Sequence, residues 1–197
     1  MQLDWRFGRA SVLAVALACL PVVAARAADP VRLESLSGKL AEPMRFDAGV
    51  RAAVFVFVSV DCPVSNRYAP EVRRLHDTFG AQGVQFTLVY PNPAEEVPAI
   101  REHLKAYSYP LDALRDPHHA FVKHAGISIT PEAAVYTPDA RLVYRGRIDD
   151  RYVNLGVERP APTRRDLAEA LTDVLAGKPV REPRTQAVGC YVADFAR

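Results

Sequence analysis

The chain has 197 residues, 49% of them hydrophobic, with 25 Lys and Arg against 23 Asp and Glu. That near-neutral balance, with no basic run and no aromatic-basic stripe, excludes an electrostatic binder of nucleic acid. The length suffices for one compact domain with a sizeable core.

Residues 1–27 have the pattern of a secretory signal. Arg6 and Arg9 give a positive start, residues 11–23 are apolar, and Ala25-Arg26-Ala27 places small residues before a cut. Cleavage after Ala27 leaves 170 residues, with 22 basic against 22 acidic side chains. The expected location is therefore the periplasm or the extracellular space, with no stable membrane span after cleavage. Two alternatives stand beside this, a retained anchor and a lipid on Cys19. Ala16 stands where a lipid-attachment signal favours Leu.

Residues 28–46 read as an extended lead-in, broken by Gly38 and Pro43. Residues 54–58 are β-branched or aromatic without interruption, the signature of a central strand buried on both faces. Cys62-Pro63 follows, and proline suits the first turn of a helix. Cys62 is thus expected where a strand meets a helix, with free amide N–H groups aimed at its sulfur. That setting favours the reactive thiolate. Asp61 works against it, and Arg67 offsets Asp61 if its side chain turns back.

Tyr68, Val72, Leu75 and Phe79 make one helical stripe, with Pro70 inside the helix and Gly80 and Gly83 ending it. Residues 84–90 read as a second buried strand, 95–107 as a helix and 111–114 as a short strand. A short helix over 117–125 ends at Gly126. Thr130-Pro131 precedes a strand at 133–136, and a turn at Pro138-Asp139-Ala140 leads into residues 142–148 as a hairpin. Residues 149–162 read as loop. Thr163 is expected to cap a helix over 164–176 that closes at Gly177. Residues 178–197 form a flexible-looking tail that contains Gly189-Cys190. The alternation predicts an α/β fold, its sheet parallel in part with an antiparallel edge.

This layout resembles the thioredoxin-like superfamily. The strand, then Cys62-Pro63-Val64-Ser65, then the helix matches the place of its active-site motif. Thr130-Pro131-Glu132 matches the loop that carries its cis-proline. Residues 62–70 and 144–152 look most like exported redoxins of the alkyl hydroperoxide reductase and thiol-specific antioxidant (AhpC/TSA) type. The resemblance covers residues 47–176 and implies a three-layer sandwich, a mixed central sheet flanked by helices. It also implies a thiol oxidoreductase without a bound cofactor, acting on protein thiols or disulfides, or on small peroxides, with an electron donor that the sequence does not name. A dithiol motif would have a second cysteine at Ser65. A peroxidase motif would have proline at Phe55, although Ser59 keeps a hydroxyl where that motif has threonine.

On this reading Cys62 is the nucleophile. Pro131 is cis and approaches the sulfur, and the Thr130 backbone stands open to an extended substrate. Ser65 either donates to the thiolate or caps the helix. Arg147 either reaches the active face, to hold a substrate, or lies in a solvated mixed-charge run with Arg145, Asp149, Asp150 and Arg151. Cys190 is a resolving thiol, one half of a structural bridge to Cys62, or an idle thiol. A competing expectation is a non-catalytic binding module with a permanent Cys62–Cys190 disulfide and a protein or copper partner. His118, His119 and His124 lack the i, i+4 spacing that puts two metal ligands on one helical face, so no metal site is assigned.

Overall fold

A computed structural model describes Gln2 and residues 30–192. The leader expected at 1–27, Cys19 included, lies outside the described residues apart from Gln2. Among the described residues, no helix is long and apolar enough to cross a membrane.

The strand ahead of Cys62 runs as β3 over Ala52–Phe57, and all six residues are buried. It lies deep in a seven-stranded mixed sheet of order β2-β1-β5-β4-β3-β7-β8. β4 (Val84–Tyr90) flanks it in parallel and β7 (Glu132–Tyr136) antiparallel. β5 (Asp112–Arg115) extends the parallel part, and β8 (Leu142–Gly146) closes the hairpin edge. Alternation along β3 builds two cores, one for each face. Ala52, Val54 and Val56 pack with α1 (Pro63–Phe79), whose stripe Tyr68, Val72, Leu75 and Phe79 is buried as predicted. α2 (Val97–Ala106) and α4 (Asp166–Leu175) share that face through Ile100, Leu167 and Leu171. Phe55 and Phe57 pack on the other face against Phe121 of α3 (Ala120–Ala125), with Phe55–Phe121 ring centroids 4.7 Å apart and edge to face. Pro70 is exposed, and α1 runs through it without interruption.

Four local expectations are corrected. The lead-in is a hairpin, β1 (Leu33–Ser35) and β2 (Leu40–Ala41), and β1 extends the sheet by antiparallel pairing with β5. The stretch 149–162 contains another small hairpin, β9 (Tyr152–Asn154) and β10 (Val157–Glu158). Thr163 does not cap α4. Its N–H and hydroxyl go to the buried Asp150 carboxylate, and α4 starts at Asp166. The tail up to residue 192 is ordered against the domain. Arg184 bridges to Arg145, and β11 (Cys190–Tyr191) pairs antiparallel with β6 (Ile129–Thr130).

Asp116 shows why so short a helix as α3 holds. Its carboxylate accepts from the N–H groups of Ala120, Phe121 and Val122 at 2.8–2.9 Å, which serves the amides the helix leaves unpaired. Asp116→Ala should cost about 2 kcal/mol, the upper end for loss of a helix cap, in urea denaturation. An unchanged midpoint would show that these bonds contribute nothing net.

Candidate active site

Cys62 is the N-cap of α1, with extended backbone (φ −84°, ψ 109°), and Pro63 opens the helix. The Ser65 N–H donates to Cys62 Sγ at 3.5 Å. Ser65 therefore sits inside the first turn and does not cap the helix. Its hydroxyl is buried with no oxygen or nitrogen partner and lies near enough to Cys62 Sγ to favour the thiolate, although not in good hydrogen-bond geometry.

The loop between β3 and α1 is held from two sides. Glu95 Oε1 accepts from Ser59 Oγ at 2.5 Å and from the Val60 N–H at 2.8 Å. Asn66 Nδ2 donates to the Val60 carbonyl at 3.0 Å. Asn66 Oδ1 in turn accepts from His103 Nε2 at 2.8 Å, which leaves His103 Nδ1 to accept from the Tyr90 hydroxyl at 2.9 Å. Burial lowers the His103 pKa and raises that of Glu95, the Glu95 rise being opposed by the bonds from Ser59 and Val60. The residue pattern had singled out none of Glu95, Asn66 and His103 for this site. The only signal was that Glu95 follows the C-terminal end of a parallel strand, where sites in α/β sheets gather.

The Thr130–Pro131 peptide bond is cis, and the Thr130 carbonyl accepts from Cys62 Sγ at 3.2 Å. The Thr130 backbone does not stand open. Cys190 lies directly across from it in the β6–β11 pair, with Tyr191 across from Ile129. The Cys190 side chain packs into the core beside Cys62, and both thiols are free. Gly189 makes this approach possible. A Cβ there would lie 2.8 Å from the Thr130 carbonyl carbon and closer still to its oxygen.

The electrostatics follow from these contacts. Burial pushes the Cys62 pKa up, but hydrogen bonds from the Cys190 thiol and from the Ser65 side chain and N–H outweigh it, and the net direction is down. The Thr130 carbonyl contact needs the protonated thiol, so ionisation gives up that bond and strengthens those from Cys190 and Ser65. Cys190 moves the other way, pushed up to about 12 by burial first and then by the neighbouring Cys62 sulfur. The pair thus shares one easily lost proton, and Cys62 is the sulfur that loses it.

Other expected participants are placed elsewhere. Ser59 is near the site, but its hydroxyl donates to Glu95. Arg67 is exposed and pairs with Glu158 at 2.6 Å, so it does not turn back to the sulfur. Arg147 does not reach the active face, because its guanidinium holds Asp166 through two bonds of 2.8 and 3.2 Å. The mixed-charge run is not a solvated loop, since Asp149 and Asp150 are both buried. His118 is exposed, His119 is buried with Nε2 donating to the Pro91 carbonyl, and His124 stacks near Phe121 and Tyr136. Among the described residues no group of three His, Cys, Asp or Glu is placed to hold a metal ion. A cleft of about 80 Å³ opens beside Cys190, between Ser59, Asn92, Thr130 and Tyr191.

Comparison with known proteins agrees with this geometry. Among solved structures, an uncharacterized conserved protein from Geobacillus kaustophilus is 24% identical, with a TM-score of 0.73 over 85% of this chain and 90% of its own. A hypothetical protein from Sinorhizobium meliloti 1021 is 25% identical, with a TM-score of 0.72 over 85% and 92%. MTB dsbF, solved in mixed oxidized and reduced forms, shares the fold at 18% identity, with a TM-score of 0.53 over 73% and 94%. A search of curated proteins found no match. The AhpC/TSA family model matches residues 26–147, more than half of the chain. With a cysteine at the strand-to-helix junction, a cis-proline beside its sulfur and this match, the chain belongs to the AhpC/TSA family and has its thioredoxin-like fold.

Proposed function

We propose that this protein catalyses thiol–disulfide exchange, with Cys62 as the attacking thiolate and Cys190 as the resolving thiol. The observation that carries the reading is the β6–β11 pairing, which sets Cys190 across from Thr130 with its side chain beside Cys62. The tail supplies in space the second thiol that Ser65 denies to the motif. Peroxide reduction has weaker support, because Ser59 and Arg147 are both committed to carboxylates away from the sulfur.

In the reductive direction, the Cys62 thiolate attacks one sulfur of a substrate disulfide. A Cys62–substrate bond forms, and the other substrate sulfur leaves as a thiolate that takes a proton from water. Cys62 is now neutral, so the charge and hydrogen bond that hold the Cys190 proton are gone. Cys190 gives its proton to water, attacks Cys62 Sγ and releases the second substrate sulfur as a thiolate. The Cys62–Cys190 disulfide that results is returned to two thiols by an external dithiol donor. An exported, oxidising location fits such a pair, and the leader pattern with Arg6, Arg9 and Ala25-Arg26-Ala27 supports it.

The test is Cys190→Ser. It should trap a Cys62-linked mixed disulfide with substrate that the unmodified protein passes through without accumulation. Full turnover with no trapped adduct, or peroxide consumption faster than disulfide exchange, overturns the reading.

A further inference from the structure

The strand that carries Cys190 occupies the ground an incoming cysteine strand would need. Cys62 is only 1% exposed, and β11 holds the Thr130 edge through antiparallel pairing. We propose that residues 189–192 are a tethered self-ligand of the Ile129–Thr130 edge. They must leave before Cys62 exchanges with another protein, and the groove they vacate takes extended segments with glycine directly before the cysteine. This inference rests on Cys62 being the exchanging sulfur.

Two observations support it. The first is how unequally the tail is held. Its upstream part is anchored by Arg181 on Asp173 at 3.0 Å, by Glu182 on Arg164 at 2.6 Å and by Thr185 on Tyr144 and the Arg147 N–H. Beyond buried Ala187, the hold among the described residues is the two-residue pairing, the Val192 N–H to the Ser128 carbonyl at 3.0 Å, a 3.4 Å bond from Thr130 Oγ1 to the Cys190 carbonyl, and the packing of the half-buried Cys190 and Val192 side chains. Tyr191 is 79% exposed. The last residues can therefore open while the anchored stem stays in place, as local unfolding does elsewhere in proteins.

The second observation is the glycine. Any cysteine that brings its sulfur to Cys62 along this edge takes the register of Cys190, across from Thr130. The residue before it then falls where Gly189 lies, with no room for a Cβ against the Thr130 carbonyl. A main-chain edge recognises any extended strand, and this steric limit adds selectivity.

The test uses the pentapeptide Val-Gly-Cys-Tyr-Val, its cysteine linked through a disulfide to thionitrobenzoate, and the same probe with Val-Val-Cys-Tyr-Val. The Cys62 thiolate attacks the peptide sulfur, the peptide becomes disulfide-linked to Cys62, and coloured thionitrobenzoate leaves. All proteins carry Cys190→Ser, so that Cys62 reports. Gly189→Val forces the strap off through its Cβ, and Val192→Pro removes the Ser128 bond. Each should speed release from the glycine probe about tenfold or more, because the rate follows the open fraction. In Val192→Pro the glycine probe should outrun the valine probe by about tenfold, the factor for 1.4 kcal/mol. Rates in both variants equal to that of the Cys190→Ser parent overturn the gate, and equal rates for the two peptides overturn the preference. Release that persists in Cys62→Ser with Val192→Pro overturns the sulfur assignment instead.

Discussion

Cys62→Ser should lower the disulfide exchange rate at least about a thousandfold while leaving the fold intact. A serine hydroxyl of similar size does not ionise near neutral pH, so the nucleophile is lost and the packing is kept. The pH profile of the unmodified protein carries the finer prediction. Burial pushes the Cys62 pKa up, but the Cys190 and Ser65 donors outweigh it and hold it below that of an ordinary cysteine. The rate should rise with pH as the thiolate forms, with its midpoint below that of an ordinary cysteine thiol. Exchange is followed with a model disulfide across that range. A serine variant that keeps a tenth of the rate, or a midpoint at or above that of an ordinary cysteine thiol, would sink the assignment.

Arg147→Ala should destabilise the protein by about 3 kcal/mol and leave exchange per folded molecule unchanged. The Asp166 side chain is 1% exposed, and Arg147 meets it with both Nε and Nη2. Truncation leaves a buried carboxylate whose next cation is Arg164 Nη2 at 3.9 Å. Breaking a buried pair costs about 3–5 kcal/mol, and the lower end applies because Arg147 is 28% exposed and water reaches its place. Arg147→Lys should fall between, since an ammonium cannot make the two parallel bonds. Urea unfolding measures the loss. A variant of full stability with slowed exchange would return Arg147 to the substrate-binding role that the resemblance suggested.

The fold was legible wherever a periodicity was long. The unbroken run at 54–58 and the four-three-four stripe from Tyr68 to Phe79 each allow one arrangement that buries them, and β3 and α1 follow. The two hairpins at 33–41 and 152–158 were not legible. Each of their strands has only two or three residues, too few to show a period, and partners elsewhere in the chain or across a short turn define them. Thr163 misled for a related reason. A threonine before a helix can serve its own chain or another carboxylate, and Asp150 lies close enough to take it.

The candidate site divides the same way. Cys62 at a helix start and Thr130-Pro131 ahead of a strand are local patterns, because the requirements of a helix N-terminus and of a proline are met within a few residues. Residue order alone settled the position of Cys62 where a strand meets a helix and the layered α/β plan around it. The junction of Cys62 with Cys190, 128 positions apart, belongs to a different kind of information. It exists because β6 has an edge to pair and Gly189 lets a backbone come close, and both are properties of distant segments meeting. Glu95, Asn66 and His103 at the loop beneath Cys62 are of that kind too. Their partners are backbone groups and rings that only chain folding brings within hydrogen-bond reach, so three-dimensional packing assigned their roles.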